Sequence, residues 1–395
     1  MPPAPKPGTP AEVFRVFLQL GLTCFGGPVA HLGYFRDELV SRRQWIDEAG
    51  YADLVALCQF LPGPASSQVG FSLGVLRGNG LLGGLAAWAA FTFPSALILL
   101  AFALGAAAFT SPLARGMLHG LKLVAVAVVA QAVWGMAKSL TPDRTRAAIA
   151  LAAIALITAL PGSLGQITAI ALGALAGLRL CQADARPISG HLHFPVSRRA
   201  GTLALALFAA LFLLPAFTPA TILFNAFYRA GALVFGGGHV VLPLLQAEVV
   251  APGWLSNEAF LAGYGVAQAV PGPLFTFAAY LGALASPAPS PLIGAAIALV
   301  AILVPGLLLV YGMLPFWDAF RIRPHAQSAM RGANAAVVGI LAAALYSPVW
   351  TSAVLSRADF ALTLAGFLAL TLWKAPPWSV VAGLAVTGAL TNALS

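Results

Sequence analysis

Charge is scarce in this chain. Of its 395 residues, 21 are Lys or Arg and 12 are Asp or Glu, so charged residues make up only 8%. A soluble domain carries about 25%, and a chain this poor in charge cannot clothe itself for water. Cysteine is scarce too. Cys24, Cys58 and Cys181 have no metal-ligand spacing and read as small buried hydrophobes, so neither a disulfide framework nor a zinc site is expected. The chain also lacks a nucleotide-binding Gly-x-x-x-x-Gly-Lys-Ser/Thr run, an H-E-x-x-H pair and a supported Ser/His/Asp set. Those absences argue against ATP hydrolysis, metal-assisted chemistry and nucleophilic catalysis. The chain reads as no enzyme, with no cofactor, no metal and no nucleic-acid partner. No cleavable signal is expected, because Met1–Pro10 is Pro-rich and polar and the next stretch carries Arg15 and Gln19.

What the chain has in quantity is apolar sequence: 60% of residues are hydrophobic and the mean hydropathy is +0.89. Runs such as Leu81–Phe109, Gly201–Leu214 and Leu292–Leu314 mark an all-α polytopic membrane protein lying in a lipid bilayer. The helix breakers in this apolar sequence recur in register. Phe25-Gly26-Gly27 returns as Phe235-Gly236-Gly237, offset by 210 residues, and Leu61-Pro62-Gly63-Pro64 returns as Val270-Pro271-Gly272-Pro273, offset by 209. Phe14-x-x-Phe17 answers Phe224-x-x-Phe227, and Gly21, Glu38, Trp45, Gln59, Pro94 and Gly120 answer Gly231, Glu248, Trp254, Gln268, Pro305 and Gly332. Single Gly or Pro matches would mean little among 40 Gly and 29 Pro, but an ordered series at nearly constant offset marks a duplication. Residues 1–180 form one copy and 219–395 the other. Residues 181–218 are a basic linker plus an extra transmembrane helix at Gly201–Leu214, with no counterpart before the first copy.

Basic residues set the expected orientation. Arg36, Arg42, Arg43 and Arg77 flank the breaks of copy one, whereas Val240–Glu258 and Leu281–Pro291 of copy two contain no Lys or Arg. After the long helix the bias reverses: Phe109–Pro112 is uncharged, and copy two has Arg321, Arg323 and Arg331. Mirror-image charge of this kind fits two copies inserted in opposite senses. The N-terminus and the linker 181–199 then lie in the cytoplasm, and the protein spans the cytoplasmic (inner) membrane several times. The scheme closes if Thr9–Val40 and Ala49–Leu76 dip in from the cytoplasm, while Pro219–Val250 and Ser256–Leu284 do so from outside. Their arms are shorter than the ~20 residues a crossing helix needs.

A broken helix exposes backbone groups that an intact one would pair. Helix starts near Gly26-Gly27, Gly63, Gly236-Gly237 and Gly272 would offer free N–H groups and positive dipole ends to an anion. Close helix packing is the alternative use of these glycines. Gln59 and Gln268, three residues before each Pro-Gly-Pro, can donate to an oxyanion or join helices. Ser66, Ser67 and Gln68 stand in the first turn after one break, where serine also serves as a cap. Arg229 lies two turns before Gly236 in an apolar arm, where an intramembrane charge is a functional candidate and guanidinium suits a tetrahedral oxyanion. His31, His239, Glu38 and Glu248 are the candidates for carrying a coupled proton.

Phe25-Gly26-Gly27-Pro28-Val29-Ala30-His31, Leu61-Pro62-Gly63-Pro64 and Arg42-Arg43-x-Trp45, with Gly237-Gly238-His239-Val240-Val241-Leu242-Pro243 and Pro271-Gly272-Pro273, resemble the chromate ion transporter family in its long two-domain form. The resemblance covers nearly the whole chain, although His239 stands where another polar or aromatic residue is usual. It implies a carrier that exports chromate using the membrane's electrochemical gradient and confers chromate resistance. The residues alone leave sulfate or another oxyanion open as cargo, leave an anion channel open as mechanism, and do not fix the oligomeric state, a homodimer included.

Overall fold

A computed structural model describes residues 8–105, 111–181, 194–317 and 323–394. Arg186 of the linker and Arg321, which carry part of the charge bias, lie outside the described residues. Copy one opens with four short helices: α1 (Pro10–Thr23), α2 (Gly27–Phe35, continued by a π-helical turn Arg36–Arg42), α3 (Glu48–Phe60) and α4 (Ala65–Arg77). The long α5 (Leu81–Gly105) and α6 (Pro112–Leu140) follow, then α7 (Arg144–Ala159) and α8 (Ser163–Leu180). After α9 (Arg198–Phe212) the order repeats. Copy two has α10 (Pro219–Ala232), α11 (Val241–Val249), α12 (Asn257–Ala267), α13 (Phe277–Leu284), α14 (Pro291–Met313), α15 (Pro324–Ala344), α16 (Arg357–Thr371) and α17 (Pro377–Leu394). Short 3-10 turns at Gly238–Val240 and Leu274–Thr276 lead into α11 and α13. No strand occurs among the described residues.

All four breaks fall where the Gly-Gly and Pro-Gly-Pro elements stand. Among the described residues, five helices are long and apolar enough to cross a membrane, beginning at Leu81, Leu113, Ser163, Pro291 and Pro324. The protein is thus an all-α, multi-pass membrane protein built of two repeats. The extra helix α9 has 15 residues, which at 1.5 Å per residue is short of the ~30 Å hydrocarbon core.

Helix starts follow ordinary capping rules. Thr9 caps α1 ahead of Pro10, with the Glu12 N–H 3.2 Å from its hydroxyl. Thr218–Thr221 and Ser356–Asp359 form capping boxes for α10 and α16. Asp143 caps α7, where the Arg146 N–H and guanidinium hold its carboxyl below the ordinary value.

Helices in lipid associate by close packing at small residues. Gly74 meets Gly83 where α4 crosses α5, and Gly282 meets Gly294 where α13 crosses α14. The long central helices pack by exchange. Gly120 of α6 lies against Leu384 and Gly388 of α17, and Gly332 of α15 lies against Gly173 and Gly177 of α8. Each copy's last helix therefore clasps the other copy's long helix, an arrangement its own sequence does not announce.

Candidate functional site

The breaks are joined across the repeats by a reciprocal pair of hydrogen bonds. The Gly63 N–H donates to the Val234 carbonyl at 2.8 Å, and the Gly272 N–H donates to the Cys24 carbonyl at 2.9 Å. In each case the middle residue of one Pro-Gly-Pro bonds the carbonyl two residues ahead of the other copy's Gly-Gly. Both donors have left-handed backbone, with φ of 121° and 98°, and both lie against a long helix of the opposite copy. A Cβ on Gly63 would come 2.9 Å from Gly306 Cα of α14, and one on Gly272 would come 2.9 Å from Ser95 Oγ of α5. Only glycine fits both demands.

Beside this junction is a cavity of about 50 Å³. Four helical segments start at its wall, at Gly27 of α2, His239 of the turn into α11, Leu274 of the turn into α13, and Pro377 of α17. The first three have no side-chain cap, which leaves their N–H groups unclaimed by side chains. Gln268 and Gln131 add amides. Gln131 Nε2 donates to the Leu370 carbonyl at 3.3 Å, so one of its two N–H bonds is uncommitted. His239 Nδ1 and the Tyr264 hydroxyl share a 2.6 Å hydrogen bond. Val128, Ala267 and Val270 supply apolar wall. No carboxylate, lysine or arginine lines the cavity among the described residues. Such a chamber offers donors and positive dipole ends with no resident charge, the chemistry an oxyanion needs when stripped of water.

Of the residues singled out from sequence, Gly26, Gly27, His239, Gln268 and Gly272 line this chamber. The others are elsewhere. Gln59 is exposed on α3, because α3 runs on to Phe60 whereas α12 stops at Ala267 and turns Gln268 inward. Gln68 is fully buried and spends its Nε2 on the Pro62 and Gly306 carbonyls, at 2.9 and 3.0 Å. Ser66 lies 3.4 Å from His31 Nδ1, and Ser67 is buried without a hydrogen-bond partner for its hydroxyl. His31 itself is fully buried, edge-on to Phe91. Gly236 and Gly237 pack against Met136, with Leu140 and Asn334 also beside Gly236. Arg229 pairs with Glu248 at 2.7 Å, and Glu248 also accepts from Ser163 at 2.9 Å. Glu38 is held by Arg43 at 2.6 Å and Arg42 at 3.0 Å.

Two contributors escaped the sequence reading. Gln131 is the only amide in the stretch Leu123–Ala137 of α6, a signal that was available. Pro377 had none, since α17 reaches the chamber only through exchange between the repeats. Among the described residues, no group of three or more His, Cys, Asp or Glu is arranged to hold a metal ion.

Comparison with known proteins agrees with this architecture. The family model described as "Chromate transporter" matches residues 11–178 and again 221–389. A probable chromate transport protein of Synechococcus elongatus is 29% identical over 381 residues, 92% of this chain and 90% of that protein. A chromate transport protein of Cupriavidus metallidurans is 27% identical, over 95% of this chain and 92% of that protein. YwrA of Bacillus subtilis, an uncharacterized transporter, is 36% identical over 130 residues, 32% of this chain and 68% of that protein. No solved structure matches the chain.

Proposed function

This chain belongs to the chromate transporter family in its long two-domain form, and on that premise we propose that it is a secondary carrier exporting chromate across the cytoplasmic membrane, so conferring chromate resistance. The observation that carries the reading is the uncharged chamber ringed by helix starts. At about 50 Å³ it has room for about three to five water-sized groups, which suits one small tetrahedral anion. Gly26-Gly27, Gln131 and Gln268 bind the ion in place of water, and Gly272, its N–H given to Cys24, holds the wall.

The driving force is electrical. Moving a dianion out of an inside-negative cell is worth about 2 × 2.3 kcal/mol per 100 mV, so export needs no proton. The two copies insert in opposite senses, with the N-terminus and the linker in the cytoplasm. The two repeats rock against each other, each carrying the other's exchanged last helix, to open the chamber to alternate sides. Proteoliposomes preloaded with chromate test this directly. Release under a potential alone, slowed by Gln268→Ala, is the expected result; release that needs a pH gradient would reject the electrical mechanism.

One observation favours a second reading. His239 is the titratable group at the chamber wall, and a proton carried there would couple export to proton exchange. Sulfate as the true cargo is decided by competition in the same assay. Flux at channel rates without accumulation against a gradient would indicate a channel instead.

A further inference from the structure

A second cavity, of about 450 Å³, lies between the α7–α8 turn, α11, the start of α12 and the end of α15. One wall of it, Ser347 and Pro348, marks a difference between the copies. After α15 the backbone leaves helical geometry at Ser347 (φ −125°, ψ 120°), next to Pro348, which lacks an N–H to continue the ladder. The matching stretch of α6 runs unbroken through Gly135 and Met136.

Three polar side chains of this cavity form a chain, a fourth stands apart from it, and all have hydrogens to spare. Gln166 Nε2 donates to the Pro243 carbonyl at 3.0 Å, Gln246 Nε2 to Asn257 Oδ1 at 2.9 Å, and Asn257 Nδ2 to Ser352 Oγ at 2.6 Å. Each amide nitrogen carries two hydrogens, so three N–H bonds and the Ser352 hydroxyl remain to donate. Glu248, the carboxylate of α11, is turned to Arg229 and Ser163. Gln166 is 6% exposed, and its Oε1 is buried without a partner.

Position ties this cavity to the chamber. Pro243, whose carbonyl Gln166 holds, stands four residues after His239 of the chamber wall, about one helical turn. The cavity also borders Val250, Ala251 and Asn257, within the Val240–Glu258 stretch that has no Lys or Arg, the mark of the outer side.

We propose that this cavity is a second oxyanion station on the outer side of the route. It rests on the transport reading of the central chamber. Its volume and its mixture of spare donors and acceptors suit an ion that has regained water, where the central chamber suits a stripped one. Binding by neutral groups alone is weak, which lets the ion leave.

The test is cysteine labelling of the full-length protein, with Ser352→Cys and, on the facing wall, Gln246→Cys. Cys24, Cys58 and Cys181 are buried, so the parent protein supplies the blank. A membrane-impermeant maleimide added outside spheroplasts is expected to label both variants. Chromate efflux from vesicles made of the labelled protein is expected to fall at least fivefold. Labelling only from the cytoplasmic side, no labelling of either variant, or full labelling with undiminished efflux would each overturn the proposal. Parent efflux is measured in parallel: if the parent moves no chromate, the reading of the central chamber fails, while the labelling still reports whether the second cavity opens outside.

Discussion

Replacing Gly27 by alanine separates the cost of bending the chain from the cost of filling the chamber. Gly27 has φ of 79°, and a Cβ built there would meet nothing within 4 Å. The new methyl would therefore occupy open space at the break without clashing. Forcing alanine into the left-handed region costs about 1–2 kcal/mol. The methyl is about as large as one water, and the chamber of about 50 Å³ holds only about three to five. A tetrahedral anion then loses both room and its approach to the first N–H groups of α2. Gly80, in the turn between α4 and α5, has φ of 129° and likewise nothing within 4 Å of its Cβ, but it lies outside the chamber. Gly80→Ala therefore carries the backbone cost alone. Thermal unfolding in detergent is expected to show destabilisation in both variants, the larger in Gly80→Ala, whose φ lies farther from the left-handed well. Chromate flux per folded molecule in proteoliposomes is expected to fall at least about 10-fold in Gly27→Ala only, equivalent to about 1.4 kcal/mol. Equal flux in the two variants would refute the assignment of the chamber as the ion's seat.

Gln131→Ala removes an amide from the chamber, and a hydrogen bond to a charged group is worth about 1.5–3 kcal/mol; half-saturating chromate is expected to rise at least about tenfold, with Gln59→Ala, at an exposed position of α3, as the silent control. Arg229→Ala leaves Glu248, 8% exposed, without its cation, and is expected to destabilise by about 1–3 kcal/mol, a pair of this burial falling below the fully buried case. Adding Glu248→Gln should recover much of that loss in thermal unfolding, and no recovery would show that the pair does more than balance charge. Gly120→Val and Gly332→Val each drive a side chain into the backbone of the other repeat and are expected to abolish folded protein on size-exclusion chromatography. Gly383→Val, where a Cβ meets nothing within 4 Å, should elute as the parent does.

What could be read from the chain followed the range of each interaction. Pro-Gly-Pro and Gly-Gly act on their own backbone, so the breaks at residues 24–26, 61–64, 233–237 and 268–273 were legible one by one. Their duplication was legible because it needs only comparison along the chain. The composition of the chamber was half legible. Gln268, His239 and the glycines sit beside the breaks that place them. Gln131 and Pro377 reach the chamber because α6 packs on α17 of the other copy, and no local pattern encodes that. Gln59 and Gln268 show the limit in one pair: the same residue at the same offset from Pro-Gly-Pro ends on the surface in one copy and at the chamber in the other. Two residues of helix, present at the end of α3 and missing from α12, decide it. Arg229 and Glu248 looked like independent candidates, yet they satisfy each other across 2.7 Å.

The reciprocal bonds from Gly63 to Val234 and from Gly272 to Cys24 make each half of the molecule the missing strut of the other. A half expressed by itself would carry one orphaned amide and one orphaned carbonyl at its most constrained point. Those same two groups would be satisfied by a second half supplied as a separate polypeptide. Cutting the chain between α8 and α9 and producing both pieces together should therefore yield a working pair, whereas either piece made alone should be degraded.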